Sequence, residues 1–294
     1  MSSLDRIGFI GPGRVAQTIA PLLSARGAAV ATISGRNHAQ AEALASKIDG
    51  CRAHVALQDG IDGCDLVFLT VSDDAIRSVC ASLRWRPGQA VVHCSGATEL
   101  AELAPAARAG AHVGAFHPLQ IFSDPDVAQR NLAGSYVAIE AEPPLADRLT
   151  TTAGLLGLKV LNLPAGGRSA YHLGANLAAS CLLAVLEEAK SAWVAAGLPA
   201  ETALPALLPL IGGTLDTARR VGLSQAVSGP VARGDSAVLR KHIGAARMLP
   251  GGERLYGELL DRLLDLRRQT RQLDPGQEEM LDRVIAGAKF PTLS

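Results

Sequence analysis

The stretch RIGFIGPGRVAQTIAPLLSARG, residues 6–27, decides the fold. An apolar run typical of a β-strand is followed by the motif G-x-G-x-x-A and by a helical segment that ends at Gly27. Glycines in such a turn let the backbone approach a pyrophosphate, which then lies on the N-terminus of the helix. Because a strand precedes the motif and a helix follows it, the stretch predicts a dinucleotide site. The candidate cofactor contacts here are Gly11, Pro12, Gly13, Arg14 and Val15.

Short apolar runs and helical segments alternate as far as residue 164. The predicted strands are RIGFIG (6–11), AAVATIS (28–34), DLVFLTV (65–71), AVVHCS (90–95), AHVGAF (111–116), SYVAIE (135–140) and LKVLNL (158–163). Strands that are apolar throughout and separated by helices indicate a parallel sheet covered on both faces. We therefore predict an α/β fold, with a doubly wound Rossmann domain over residues 1–164.

The strand pattern stops after residue 164, and residues 165–294 predict an all-helical domain. Its first segment, residues 169–197, is apolar nearly all round, so we expect it to run through the middle of that domain. Asp235 is expected to cap a later helix. At the last helix Asp274 can cap, Pro275 suits the first helical position and Gln277 completes a capping box.

Composition narrows the choice of partners. The 28 basic and 28 acidic residues balance, so charge favours a small-molecule substrate over nucleic acid or a membrane surface. The most apolar stretch, residues 173–185, is interrupted by Asn176 and soon meets Glu187, too early for a membrane span. We expect no secretory signal, reduced cysteines and a cytoplasmic protein. No spacing of metal ligands is found, and we predict no metal.

The end of the second predicted strand indicates which cofactor is used. An NAD site usually carries an acid here for the ribose hydroxyls. This chain has ISGRNH, residues 33–38, with Ser34, Arg36 and Asn37 as candidate contacts. Arg36 can pair with a ribose 2′-phosphate, whereas an acid would repel it. We therefore predict NADP(H), with a surface role for Arg36 as the alternative.

Polar residues also follow later strands, at the carboxyl ends where open α/β sheets bind ligands. Asp73 is expected to cap a helix. In the loop FHPLQIF, residues 116–122, His117 has a second possible role in shaping the turn before Pro118. The candidates from these segments are Val71, Ser72, Ser95 and Gly96 for the cofactor, and His117 and Gln120 for the substrate.

Several segments of the chain resemble those of a known group of enzymes. GFIGPGRVA (8–16) and SGRN (34–37), followed by a helical domain, are similar to the superfamily of 6-phosphogluconate dehydrogenase, β-hydroxyacid dehydrogenases, ketopantoate reductase and pyrroline-5-carboxylate reductase. GAFHPLQIF, AYHLGAN and SGPVARGD resemble, more specifically, a branch of Rossmann-like oxidoreductases with a helical domain of unknown function. The resemblance covers essentially the whole chain. It implies a 6-phosphogluconate-dehydrogenase-like C-terminal domain and a homodimer.

The resemblance also implies a catalytic pair. Hydroxyacid and ketopantoate members carry Lys-x-x-x-Asn on the first long helix after the sheet, where the lysine protonates the substrate oxygen and the asparagine orients it. Here the spacing is kept as His172 and Asn176, which share a helix face. An imidazole can protonate an alkoxide near neutral pH. The alternative is a buried pair whose polar atoms bond each other or a backbone carbonyl.

These observations predict an NADPH-dependent reductase of a small carboxylated 2-oxo acid or related carbonyl, with ketopantoate-like substrates as the first candidates. Arg233 is the candidate for binding the carboxylate, unless it is a solvated loop residue. The alternative function is an NADP-binding sensor or assembly protein without chemistry. A short-chain dehydrogenase is excluded, because Tyr136 and Tyr171 lack the lysine four positions on that this mechanism needs. Apolar helix faces predict a homodimer, although internal packing is the alternative.

Overall fold

The structure, a computed structural model, describes residues 5–289 and confirms an α/β fold followed by helices. The chain divides into two compact units, residues 1–176 and 177–294. The sequence places the limit after residue 164, at the last strand, whereas the first compact unit also takes in the start of the following helix. The prediction of no secretory signal concerns a stretch whose first four residues lie outside the described residues.

The first unit is built on one eight-stranded sheet with the order β3-β2-β1-β4-β5-β6-β7-β8. Its strands are β1 (Arg6–Ile10), β2 (Ala29–Ser34), β3 (Arg52–His54), β4 (Leu66–Leu69), β5 (Ala90–His93), β6 (His112–Pro118), β7 (Tyr136–Ala141) and β8 (Lys159–Asn162). The carboxyl ends of the parallel strands β1, β2, β4, β5 and β6 therefore meet at one edge.

Two features of the sheet differ from the sequence prediction. Strand β7 is antiparallel to β6. The segment between them stays at the carboxyl edge of the sheet, where Leu119 N donates to Tyr136 O at 2.8 Å. The chain then re-enters the sheet in the opposite direction. Strand β3 was not predicted, since its three residues are only partly buried and form no apolar run.

Helices cover both faces of the sheet, which is why the central strands are apolar throughout. Phe9 and Phe68 stack on one face with ring centroids 5.0 Å apart, and Phe116 meets Phe68 edge-on at 5.7 Å. The helices of this unit are α1 (Arg14–Ala25), α2 (His38–Ala45), α3 (Ile76–Ala81), α4 (Ala104–Arg108), α5 (Pro125–Leu132), α6 (Leu145–Leu155) and α7 (Arg168–Ala178), which ends just past the limit of the unit.

The second unit is helical throughout its described part, with a small core between its last four helices. The helices are α8 (Ser180–Ala195), α9 (Ala200–Val221), α10 (Leu223–Ala226), α11 (Gly229–Arg233), α12 (Ser236–Ala246), α13 (Gly252–Arg268) and α14 (Pro275–Lys289). Two predicted caps are confirmed. Asp235 Oδ1 accepts from Val238 N at 3.1 Å, and Asp274 Oδ1 accepts from Gln277 N at 2.9 Å.

The expectation that the first helical segment is buried in the helical domain is wrong for the single chain. The helix is interrupted at Ala179, and α8 contains no buried residue. By length and hydropathy alone, Arg168–Ala195 is the one candidate for a membrane span among residues 5–289, which is weak evidence because core helices of soluble proteins share that composition. Apolar composition predicts that a helix is covered and does not specify what covers it.

Candidate active site

A cleft of about 920 Å³ lies over the carboxyl ends of β1, β2 and β4. Its volume is within the range of small-molecule and cofactor sites. The lining includes seven of the predicted cofactor contacts, namely Gly11, Pro12, Gly13, Arg36, Asn37, Val71 and Ser72.

The backbone at the turn between β1 and α1 fits a pyrophosphate. Gly11 has a φ of 103°, and a Cβ there would lie 2.7 Å from the backbone of Thr70, so only glycine is accommodated. Helix α1 begins after Gly13 with no side-chain cap and no acid in its first turn. Its first N–H groups and the positive end of its dipole are therefore free to bind an anion.

The residues after β2 divide into cleft-facing and structural groups. Arg36 is exposed and lines the cleft. Asn37 also lines it, but its Oδ1 accepts from Gln40 N at 3.1 Å and thereby caps α2. Ser34 is fully buried, its hydroxyl faces Gly60, and it is not among the lining residues. Of the remaining predicted contacts in this region, Arg14 and Val15 begin α1 and do not line the cleft.

A second polar group lies further along the same edge of the sheet, in the loop after β5, at the end of β6 and at the start of α7. His117 Nδ1 lies 2.8 Å from the Tyr171 hydroxyl. The His117 and His172 rings meet edge-to-face with centroids 5.9 Å apart. A Cβ at Gly96 would lie 2.8 Å from His117 Nε2 and closer still to His172 Nδ1. Both imidazoles therefore close over Gly96, and we call these four residues the histidine cluster.

Burial determines the charge states of His117, Tyr171 and the neighbouring His93. It lowers the pKa of His117 to about 4, with His172 and Arg168 adding to the effect and Asp73 opposing it. Burial also raises the pKa of Tyr171 to about 12 and lowers the pKa of His93, on β5, to about 3. His117 and His93 are thus neutral imidazoles at pH 7, and Tyr171 is a neutral phenol.

A buried ion pair fixes the loop that carries Gly96. Arg168 is fully buried at the start of α7. Its Nε and Nη2 lie 2.9 and 2.8 Å from Glu140 Oε2 on β7, and its Nη1 donates to the Ser95 carbonyl at 2.9 Å. The Ser95 hydroxyl in turn accepts from the next turn of backbone, at Thr98 N. One guanidinium therefore joins β7, the loop after β5 and the helix that carries Tyr171 and His172.

The other predicted substrate and catalytic residues are placed differently. Gln120 Nε2 donates to Asn131 O at 2.9 Å, so its amide group points to the C-terminal end of α5. Asn176 lies one turn after His172 and is exposed. Arg233 is exposed and belongs to the second unit. Asp73 does not cap a helix as expected, because it opens a 3₁₀ turn after Ser72 without a side-chain cap bond.

Sequence reasoning missed Arg168, Glu140 and His93 and did not assign Tyr171 to the site. Glu140 and His93 do leave a signal, since each is a polar side chain in an otherwise apolar buried strand. Within residues 5–289, no group of three or more His, Cys, Asp or Glu side chains is arranged to hold a metal ion.

Two known protein families match parts of this chain, and one of them covers the segments that line most of the cleft. Residues 6–96 match the family described as NADP oxidoreductase, coenzyme F420-dependent. Residues 135–262 match a domain of unknown function, DUF2520. No curated protein matches the sequence. The chain is an NADP-dependent oxidoreductase of the Rossmann type, with NADP(H) as its cofactor.

Solved structures of several oxidoreductases share the fold. A Bacteroides fragilis protein provisionally described as an NADP oxidoreductase is 22% identical, covers 89% of this chain and 98% of its own, and has a TM-score of 0.69. A reductive aminase from Aspergillus terreus, solved with NADPH and ethyl levulinate, is 14% identical, covers 98% of this chain and 94% of its own, and has a TM-score of 0.62. 1-Pyrroline-5-carboxylate reductase from Streptococcus pyogenes is 19% identical, covers 97% of this chain and 98% of its own, and has a TM-score of 0.58. At these identities the likeness shows the fold alone.

Proposed function

We propose that this protein reduces a C=O or C=N group of a small molecule and that His172 gives the proton to the oxygen or nitrogen above Gly96. NADPH, when bound in the cleft, supplies the hydride. The observation that carries the proposal is His172 Nδ1, which is buried without a hydrogen-bond partner in the described structure and faces Gly96.

An unpartnered buried nitrogen has an energetic cost. Leaving such a group unsatisfied costs about 1–3 kcal/mol, so we infer that a bound ligand supplies its hydrogen-bond partner. The alternative of an NADP-binding sensor needs His172 bonded into the core, and the described residues offer Nδ1 no such bond. This favours the reductase over the sensor.

The charge state of His117 argues against this residue as the proton donor. The pKa of His117 is lowered to about 4, so this imidazole is neutral at pH 7 and gives no proton as an imidazolium. In this proposal Asn176, which is exposed one turn further along α7, orients the substrate as the superfamily pattern implies. Membership of the 6-phosphogluconate dehydrogenase superfamily is part of this proposal.

The substrate class follows from the charges near the cluster. Arg168, the buried cation here, is already held by Glu140 and the Ser95 carbonyl, so its guanidinium is not free for a carboxylate. Recognition of a ketopantoate-like 2-oxo acid would then depend on Arg233. The solved structures that share the fold include a reductive aminase and an imine reductase. We therefore place small ketones and cyclic imines ahead of 2-oxo acids.

Replacing His172 by alanine tests the proton donor. We expect kcat to fall by about 10²–10⁴-fold, the usual contribution of a general acid, with NADPH affinity unchanged. NADPH oxidation is followed against a panel of ketones, cyclic imines and 2-oxo acids. The control His112→Gln, at the opposite end of β6, keeps normal activity. Unchanged turnover in His172→Ala would contradict the assignment.

We further propose that two copies of the chain form a homodimer through α7, α8 and α9. Large apolar side chains on all three helices are exposed in the single chain, with exposed fractions of 57% for Leu173, 67% for Leu183 and 66% for Leu210. Large apolar side chains left exposed on several helices are typical of a subunit interface. The proposal also includes a cytoplasmic location.

Sedimentation equilibrium tests the dimer. We expect twice the mass of the 30.4 kDa chain at micromolar concentration. Leu183→Glu should shift the equilibrium toward monomer, because it places a charge in the proposed interface. The control Val55→Glu introduces the same charge at an exposed apolar position outside these helices. A wild-type monomer at micromolar concentration would contradict the proposal.

A further inference from the structure

The unexplained feature of the histidine cluster is the pair formed by Tyr171 and His117. Their contact, 2.8 Å between the hydroxyl and Nδ1, joins α7 to the end of β6. Tyr171 belongs to no motif that the sequence analysis assigned to catalysis, yet it is next to His172 and half-buried. His117 keeps a second nitrogen, Nε2, which faces the space over Gly96.

The direction of this hydrogen bond and the position of the proton on His117 are linked. A neutral imidazole has one N–H and one acceptor nitrogen. When the Tyr171 hydroxyl donates to Nδ1, the single imidazole proton is left on Nε2. Both groups are in the neutral form that this arrangement needs, because burial lowers the pKa of His117 to about 4 and raises that of Tyr171 to about 12.

We propose that Tyr171 is a positioning residue that holds His117 as the neutral Nε2–H tautomer, so that Nε2–H donates to the oxygen or nitrogen that is reduced over Gly96. This inference rests on the proposed reductase function and assigns His117 a role different from that of His172. His117 stabilises the negative charge that develops on the reacting atom, while His172 supplies the proton.

The surroundings of His117 support a neutral donor. Burial is the main reason that His117 is not an imidazolium, and His172 and Arg168, which face it from α7, lower its pKa further. Asp73 is the group that acts in the opposite direction, and it is exposed. A fixed N–H aimed at a developing charge in a buried site costs no reorganisation during the reaction.

Nitrogen NMR of the full chain with NADP tests the tautomer without turnover. In ¹⁵N-histidine-labelled protein at pH 7, with His117 assigned by its loss in His117→Gln, we expect a neutral ring protonated at Nε2. In Tyr171→Phe the ring should become a mixture of tautomers. The matched control is Tyr136→Phe, which removes an exposed hydroxyl on β7 and should leave the spectrum of His117 unchanged.

Kinetics of the same variants test the role in catalysis. We expect Tyr171→Phe to lower kcat about tenfold with KM nearly unchanged, and His117→Ala to lower kcat by roughly 10²–10³-fold, as for loss of one oxyanion donor. His117→Gln, which keeps an N–H, should recover part of that loss. A purely structural role of Tyr171 would not change the tautomer signature.

The outcomes separate this inference from the proposed function. An Nδ1–H or doubly protonated His117 at pH 7, or a Tyr171→Phe variant with unchanged tautomer and kcat, overturns the inference while reduction by the wild type stands. A wild type that shows the Nε2–H tautomer but reduces no ketone, imine or 2-oxo acid overturns the proposed function and, with it, the catalytic role of His117.

Discussion

Replacement of Gly96 by alanine is expected to lower kcat/KM by about 100-fold or more. The added Cβ would lie 2.8 Å from His117 Nε2 and closer still to His172 Nδ1, so both imidazoles must move. The φ angle of Gly96 lies outside the left-handed range, so the effect comes from contact rather than from backbone strain. Displacement of catalytic groups by about 1 Å can cost 10²-fold in rate.

The control for this variant is Gly154→Ala in α6. Gly154 is exposed, and nothing lies within 4 Å of its added Cβ. We expect normal activity and a gain in stability of about 0.5–1 kcal/mol, because alanine is favoured over glycine inside a helix. Steady-state kinetics, NADPH titration and thermal unfolding of both variants measure these effects. Normal kcat/KM in Gly96→Ala would show that the imidazoles do not act at this position.

Replacement of Arg168 by methionine is expected to destabilise the first unit by about 3–5 kcal/mol. The change leaves Glu140 buried without its cation, which is the costly way to break an ion pair. Denaturant unfolding gives the free energy. The matched control is Arg77→Met, because Arg77 forms an exposed pair with Glu102 at 3.4 Å and such pairs contribute less than about 1 kcal/mol.

The double variant Arg168→Met with Glu140→Leu separates stability from positioning. Removing both charges avoids the unpaired carboxylate, so much of the lost stability should return. Activity should stay low, because the donor to the Ser95 carbonyl is still missing and the loop with Gly96 loses its connection to α7. Full activity of the double variant would show that this connection does not position the cluster.

Much of the fold could be predicted because its signals are local. The turn at Gly11 and Gly13 and the apolar runs of β4 and β5 each reflect the conformation or burial of their own residues. The direction of β7 could not be predicted, because an apolar run has the same pattern in parallel and antiparallel pairs. What covers α8 is likewise not encoded in its own composition.

The candidate site shows the same division. Gly96, His117 and His172 were proposed from their positions after strands or on the first helix, and the structure places them together. Arg168 and Glu140 were missed because their roles come from residues far apart in the chain, at the start of α7 and on β7. A single buried charged residue leaves no periodic pattern in the sequence, so its partner can be identified only from the fold.

A crystal structure of the protein with NADP bound tests the central claim most directly. We predict that the nicotinamide C4 faces the space over Gly96, with His117 Nε2 and His172 Nδ1 on the border of that space and the 2′-phosphate beside Arg36. This prediction would be contradicted by a nicotinamide that lies away from Gly96, with His172 Nδ1 bonded to an atom of the protein core.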